Sequence, residues 1–531
     1  MIMETVKKII NFVKGKSPER EIVINVEKLE YRVAVIEKGQ LEELSIERTD
    51  KERIVGSIFK GRIKNHEMGL KAAFVDIGFE KNAFLHHWDM IPAALDEEME
   101  TIDRGGKKKN RAKRIDLRDI PRMYPPGSDI MVQVTKGPIG TKGPRVTTNI
   151  SLPGRFLVLM PFTDQCGISR KVDDSAERKR LRKILEKLDI PETMGIILRT
   201  AGVGQKERYF VRDLAMLLEK WTEIERNMKK NQTASYVYKE PDLVERTVRD
   251  FLTEDVDRIV IDSPTEADRI KALVAQISKR SLGRIKTYNE SAPIFEKFNI
   301  EKQIDNAFRR QVWLPSGGYV VIDETEALVA IDVNTGRHKS RDRDSEDNTI
   351  LHTNLEAADE ICRQLRLRNI GGIVVLDFID MKGRKDQQAV YNRMKDHLRR
   401  DKAKTHLLPI SQLGLMEMTR QRHAESIQSA IYADCPNCKG RGVVKSPESV
   451  SVDLQRRIAQ VMRQSPAGRE LRVFIHPDIL HRLKHEDEDL LIDLERRYQG
   501  KMTFKADASL STECFKITDA QSNEELFVQA S

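Results

Sequence analysis

The chain has 531 residues, 39% apolar, 6% aromatic and 33% charged, and its 92 Lys and Arg against 83 Asp and Glu leave a net charge of +9. Mixed charge over periodic apolar segments describes a globular chain, and at about 150 residues per domain it has room for roughly three or four domains. No stretch approaches the roughly 18 apolar residues of a membrane span, and the N-terminus MIMETVKKIINFVKGKSPER has neither a long apolar core nor a small-residue cleavage site, so a cytoplasmic location is expected.

Residues 1–19 form a short basic amphipathic stretch, read as a fraying extension. EIVINVE and YRVAVIEKG then alternate as strands. Over 51–90 short strands are punctuated by Gly56, Gly61, Gly69 and Gly78, the pattern of a small antiparallel barrel. A polar segment at 96–126 interrupts it, with nine Lys or Arg against two Asp between Arg104 and Arg122, and DIMVQVTK resumes the strands. One barrel with a long basic loop is the simplest account.

Asp174 and Glu177 have capping-box spacing ahead of a helix with Leu181, Ile184, Leu185 and Leu188 on one face. The strand MGIILRT runs into AGVG, residues 205–256 read as largely helical, and DRIVIDSP reads as a buried strand. GGYVVIDETEALVAIDV has the form of a hairpin. Thr353 with Glu356 predicts the start of a helix over 354–368, which Gly371 and Gly372 end, and IVVLDFIDM follows as a buried strand. Residues 447–531 form a small α/β tail: a helix near 453–463, the strand LRVFI, a helix over 477–498 and further strands.

Four features could carry chemistry. Apolar strands run straight into Asp332 and Asp377, and Asn334 lies two residues beyond the first. A carboxylate at a buried strand end is costly unless it is paired or binds a cation. Converging with an amide oxygen, two such groups would suit Mg²⁺ and phosphoryl chemistry. Spacing alone equally allows aspartates that merely cap turns, and Asp380 reads as structural. In the barrel, Lys60, Arg62 and Lys64 alternate among Phe59, Phe74, Phe79, Phe84 and Trp88, as an OB-type binder of single-stranded nucleic acid requires. Arg199 and Thr200 before AGVG could hold a terminal phosphate, although Gly-rich turns after strands are commoner than phosphate pockets.

Cys435 and Cys438 form the fourth feature, a knuckle in CPNCKGRG. Structural zinc takes four ligands and the chain has no second CxxC, so two chains each donating a pair is the favoured arrangement; single residues elsewhere could also complete the site. Cys166, Cys362 and Cys514 read as small core residues, and an odd total of five is unlike a disulfide framework.

With these pieces in this order the chain resembles the bacterial ribonuclease E/G family, from roughly Glu21 to Gly442. The resemblance is carried by GSIFKGRI, KAAFVDIGFEKNAFL, LVLMP, RTAGVG, LPSGGYVVIDETEALVAIDVNTG, TNLEAADEICRQLRLRNIGGIVVLDFIDM, GLMEMTRQR and CPNCKGRG. It implies an endoribonuclease that cuts single-stranded, A/U-rich RNA, leaves 5′-phosphate and 3′-hydroxyl ends, responds to a 5′-monophosphate, and serves ribosomal RNA processing and mRNA decay. The family's Mg²⁺-binding aspartates fall on Asp332 and Asp377 and its catalytic asparagine on Asn334. Its RNA-binding residues fall on Phe74, Phe84, Lys136 and Lys142, and its phosphate sensor on Gly154, Val158, Arg199 and Thr200. Its zinc-link cysteines fall on Cys435 and Cys438, which in the family join two protomers around a shared Zn²⁺, with a possible tetramer beyond.

The implied architecture is multidomain α/β: an extension at 1–19, an RNase H-like region in two parts (20–50 and 245–307), an inserted OB-fold RNA-binding barrel (51–148), a sensor region (149–244), a DNase I-like catalytic region (308–430), a zinc link (431–446) and a small C-terminal domain (447–531). Two departures stand out. A sensor arginine aligns with Lys404, which keeps the charge but loses the planar fork. The chain also ends after the small domain, nearer the ribonuclease G type, so a scaffold arm is not expected. The rival reading is a non-catalytic RNA-binding assembly protein with a zinc-linked dimer; the intact Asp332, Asn334 and Asp377 set favours the enzyme.

Overall fold

The computed structural model describes residues 19–50, 53–91, 99–102, 117, 119–138, 142–169, 172, 174–252, 256–277, 279–325, 327–336, 343–421, 427, 431–433, 435–464 and 469–529. The extension at 1–18 and much of the basic loop lie outside them. Two compact units divide the chain at residues 430 and 431. Among the described residues no helix is long and apolar enough to cross a membrane.

The first unit is mixed α/β. Strands β1 (Arg20–Val26), β2 (Glu30–Glu37) and β3 (Gln40–Arg48) form an antiparallel meander. Strands β15 (Arg258–Ile261) and β16 (Ile285–Thr287) extend it in parallel, in the order β16-β15-β1-β2-β3. β1 is buried on both faces, which is why its sequence is a near-continuous apolar run. Ile22 and Ile24 pack toward the Leu243–Phe251 and Pro264–Ile277 helices, and Val23 packs against Phe295 and Ile300.

The barrel closes with five strands: β4 (Ile58–Glu67), β5 (Ala72–Asp76), β6 (Ala83–His86), β8 (Asp129–Lys136) and β9 (Arg145–Thr147). β4 is long enough to pair with both β5 and β8. Gly61 is required inside it, because a Cβ there would lie 2.5 Å from Val75 Cγ1. A later strand, β14 (Ser235–Tyr238), adds onto β4. The segment read as one long loop is more structured than its composition implies. Its strand β7 (Met99–Ile102) leaves the barrel and pairs with a strand at Cys166–Ser169, and Ile120 in a one-turn helix over Ile120–Met123 is 1% exposed in the barrel core.

A second sheet has the order β10-β11-β13-β12-β7, with β10 (Leu152–Pro153), β11 (Leu157–Met160), β12 (Cys166–Ser169) and β13 (Gly195–Leu198). The helices Ser175–Lys187 and Glu207–Lys230 share its core. Asp174 caps the first through Ala176 N at 2.9 Å, but Glu177 does not close the expected box. It grips Arg180 at 2.5 and 2.7 Å and accepts from Gly204 N at 2.8 Å, tying the helix start to the AGVG turn.

The last sheet of this unit has the order β17-β18-β19-β20-β22-β21. Its strands are β17 (Gln311–Trp313), β18 (Tyr319–Glu324), β19 (Leu328–Asn334), β20 (Gly372–Asp377), β21 (Thr405–Leu407) and β22 (Leu415–Arg420). The Arg343–Leu367 and Arg384–Leu398 helices cover one face with Ala358, Ile361, Leu365, Val390 and Met394. The first starts at Arg343, eleven residues before the start its capping signature suggested. Thr353 lies inside it, 3% exposed, and Glu356 accepts from Ser316 N at 3.1 Å. Its end is set by Asn369 (φ 51°) rather than by a glycine: Ile370 N bonds Leu365 O and Asn369 N bonds Arg366 O, a Schellman pair. β20 is buried on one face only, with Val374 and Leu376 inside and Ile373 52% exposed.

The second unit holds the helix Pro447–Gln464 and a sheet of order β24-β23-β25-β26, with β23 (Glu470–Ile475), β24 (Lys501–Ala506), β25 (Phe515–Asp519) and β26 (Glu525–Val528). The stretch read as one helix over 477–498 is two, Pro477–His485 and Glu488–Tyr498. The break is fixed by buried Asp487, which accepts from Ser451 Oγ at 2.6 Å and Arg482 Nε at 3.1 Å.

Candidate active site

Alternation along β19 sends Val329, Ile331 and Val333 into the core and Asp332 and Asn334 to the uncovered face. β20 does the same with Val374 and Leu376 inside and Asp377 outside. The two strands are parallel neighbours in a register that sets Asp332 directly beside Asp377. Asn334 Nδ2 donates to Asp332 Oδ2 at 2.7 Å, so the three sequence-expected residues form one cluster. Burial first, and then the charges of Asp332 and Asp380, push the Asp377 carboxyl above the usual carboxylate range. A pair carrying such surplus negative charge, made of hard oxygens on an open face, fits a divalent cation that keeps several waters. Among the described residues no three Asp, Glu, His or Cys side chains gather into a fuller cage.

The cluster is held from behind. Asn354, 0% exposed, donates from Nδ2 to Ile379 O at 2.8 Å and accepts from Ile379 N at 3.1 Å, which fixes the chain just past Asp377. Sequence reasoning took Asn354 only as the start of a helix, although it falls on the same stripe as Ala358, Ile361 and Leu365. On the other side, a Cβ at Gly318 would stand 2.7 Å from Asn334 O, so glycine lets that turn lie against the end of β19.

On the barrel, cross-strand partners line up as Asn65, Phe74, Phe84, Arg145 and Lys136 over β4, β5, β6, β9 and β8. The Phe74 and Phe84 rings meet edge to face at 6.0 Å, with His86 6.4 Å from Phe84. Lys136 is exposed in this row, and Lys142 is exposed in the approach to β9. Arg145, paired with Asp89 at 3.0 Å, was not anticipated; its alternation with buried Val146 at the start of β9 was the available signal. The Lys60, Arg62 and Lys64 stripe is committed to protein acceptors: Lys60 to Asn231 O at 3.1 Å, Arg62 to Asp129 at 3.2 Å, and Lys64 to Asp76 at 3.1 Å. Phe59 is core, with Phe79 edge-on to it.

Two of the expected sensor residues meet: Arg199 donates from Nη1 to Gly154 O at 2.6 Å, and the same atom donates to Asp250 Oδ1 at 2.7 Å, a carboxylate the sequence reading did not single out. Burial works to raise the Asp250 carboxyl, but Arg249 and Arg199 outweigh it and hold the group below the usual range. Gly154 abuts Asp213, whose carboxylate accepts from the backbone of Arg155, Phe156 and Leu157 at 3.2, 2.8 and 3.0 Å; a Cβ would come within 2.7 Å of it. Val158 pairs with Ile197 across β11 and β13, and Thr200 opens the exposed turn after β13. Lys404 immediately precedes β21 of another sheet, where its carbonyl accepts from Gln421 N at 2.9 Å. The Lys402 ammonium of that segment lies over the Phe251 ring and feels the Asp250 charge.

In the second unit Cys435 and Cys438 sit in a tight turn, with Lys439 N bonded to Cys435 O at 2.8 Å and Lys439 and Gly440 at positive φ. Backbone N–H groups of Cys438 and Asn437 favour the Cys435 thiolate and hold its thiol below the usual range, the polarity of a metal knuckle. Cys166, Cys362 and Cys514 are buried, and burial pushes the Cys362 thiol up to about 12.

Two family descriptions match this chain. Ribonuclease E/G family covers residues 151–423, and RNase E/G, Thioredoxin-like domain covers residues 434–520. Ribonuclease G of Escherichia coli strain K12 is 39% identical over 478 residues, 90% of this chain and 94% of that protein. Ribonuclease G of Haemophilus influenzae is 37% identical over 481 residues, 91% of this chain and 95% of the relative. Ribonuclease E of the same organism is 36% identical over 509 residues, 96% of this chain but 53% of the longer relative. On the extent of these matches, the chain is a member of the ribonuclease E/G family.

Proposed function

We propose that this chain is an endoribonuclease that hydrolyses single-stranded, A/U-rich RNA to 5′-phosphate and 3′-hydroxyl products, is stimulated by a 5′-monophosphate, and works in ribosomal RNA processing and mRNA decay in the cytoplasm. The observation that carries the reading is the cross-strand pair of Asp332 and Asp377, with Asn334 bonded to the first, in a chain 39% identical to a ribonuclease G. Asp332 and Asp377 would hold Mg²⁺, which when bound supplies a Lewis acid for a phosphoryl oxygen and acidifies a water. Asn334 fixes the orientation of Asp332, and Asn354 positions the chain beyond Asp377. Phe74 and Phe84 offer rings to bases, while Lys136 and Lys142 offer cations to phosphates.

Arg199 and Thr200, beside Gly154 and Val158, take the terminal phosphate, with Lys404 a further contributor of charge. Cys435 and Cys438 of two chains share a structural Zn²⁺ and link a dimer. In this reading the first sheet is RNase H-like, the barrel is an OB fold, and the β17–β22 sheet is DNase I-like. The test is a short 5′-monophosphorylated A/U-rich RNA incubated with wild type and Asp377→Asn, with and without Mg²⁺. Cleavage by wild type only with Mg²⁺, lost in the variant while binding persists, is the expected result. Binding without cleavage across several RNAs would favour the non-catalytic assembly protein instead.

A further inference from the structure

The uncovered face of the catalytic sheet carries an aromatic pair that the reading above leaves unused. β17 turns Val312 inside and Trp313 outside, Leu314 just past its end is buried again, and Trp313 is 64% exposed although it is the largest side chain on that strand. Its ring meets Tyr319 at 5.3 Å and 60°, edge to face. Register places Trp313 beside Tyr319 and Tyr319 beside Asn334, so the row of rings ends on the residue that hydrogen-bonds Asp332. The next row on the same face runs Val321, Asp332, Asp377. Two residues of strand separate the rows, about 6.6 Å, comparable to the step between neighbouring phosphates of an extended nucleic-acid strand.

We infer that Trp313 and Tyr319 form a base-stacking subsite that receives the nucleobase next to the scissile phosphodiester. The inference rests on the endoribonuclease reading and names a specificity determinant for it. An indole face held by a neighbouring ring presents a flat, rigid platform at small conformational cost, and every base has a π-face to lay on it. The platform lies on the same side of the sheet as the carboxylates, so a base stacked there would help set the backbone of its own nucleotide over Asp332 and Asp377. Preference for particular bases would then follow stacking strength and not hydrogen-bond readout.

The test uses the full-length protein and RNAs in which single abasic nucleotides are scanned through a mapped cleavage site. Trp313→Ala is expected to lower kcat/KM about tenfold on intact RNA, the effect of losing one stacked base, and Trp313→Phe to recover most of that. For wild type, one abasic position adjoining the cut should produce a similar loss, and at that position Trp313→Ala should cost nothing more. Equal sensitivity of wild type and Trp313→Ala to every abasic position would overturn the subsite. So would a change in sedimentation of Trp313→Ala that accounts for its lost activity, which would assign the ring to a contact between copies of the chain. If wild type cleaves none of the RNAs, the enzyme reading fails separately, and the subsite is judged by binding: weaker affinity of Trp313→Ala for intact but not for abasic RNA supports it, and equal affinities reject it.

Discussion

The side-chain amide of Asn354 answers both the N–H and the C=O of Ile379, two residues past Asp377, from the buried face of the helix behind the β17–β22 sheet. A paired donor and acceptor of this kind fixes both position and rotation of a strand end, which an apolar contact cannot do.

Replacing Asn354 by Leu should therefore leave two backbone groups without partners and cost about 1–3 kcal/mol of stability. Urea unfolding measures that loss. RNA cleavage should fall further than the unfolded fraction at assay temperature explains, because Asp377 loses its fixed position. Cleavage unaffected in a folded Asn354→Leu protein would contradict the positioning role.

Asp250 makes a pH-dependent contribution. Its carboxyl is held below the usual range by Arg249 and Arg199, so the folded state binds fewer protons than the unfolded one as pH falls through the ordinary carboxylate range. The stabilisation is complete above that range and is lost progressively below it. Asp250→Asn should remove about 2–3 kcal/mol at neutral pH by leaving two guanidiniums less compensated, and acid unfolding curves of variant and wild type should converge at low pH. The same substitution releases one of the two acceptors of Arg199, so the stimulation of cleavage by a 5′-monophosphate should change as well.

The barrel separates cations that are available from cations already engaged. Lys142→Ala or Lys136→Ala should weaken single-stranded RNA binding and lower the slope of log affinity against log salt by about one each. Lys60→Ala and Lys64→Ala should change that slope little, since their charges are matched by Asp129 and Asp76. Fluorescence anisotropy across a potassium chloride series distinguishes the two groups.

Cys435→Ser should abolish bound zinc, measured by elemental analysis of the purified protein, and shift sedimentation toward the single chain. Zinc retained in full by the variant would mean that the knuckle is not its site.

The strand-end carboxylates were legible because period-two alternation and a hard polar residue at a strand terminus are both local signals. Their companion Asn354 was not, since its meaning comes from Ile379, 25 residues away in sequence. Thr353 and Glu356 show the opposite failure: they have the spacing of a cap, yet the helix continues back through them, and Glu356 serves the Ser316 turn instead. Charge patterning misled on the barrel for a related reason. Lys60, Arg62 and Lys64 form a basic stripe in sequence, but Asp129 and Asp76, which pair with Arg62 and Lys64 respectively, arrive on other strands. Arg145 was passed over because it sits beside Phe84 only through the parallel pairing of β6 and β9.

The strand contributed to the barrel from far along the chain changes what can be cut out of this protein. β14 bonds to β4 through Ser235 and Tyr236, the Tyr236 ring packs 4.3 Å from Phe59, and Gly78 lies so close to Ala234 O that a Cβ would meet it at 2.4 Å. A fragment ending at residue 148 would bare the β4 edge and uncover Phe59 at once, inviting strand-to-strand association. The contiguous stretch that looks like a portable RNA-binding module is thus incomplete as a folding unit. Any excised version would have to carry the segment after the Glu207–Lys230 helix, joined back by a linker, before its behaviour in isolation could speak for the whole chain.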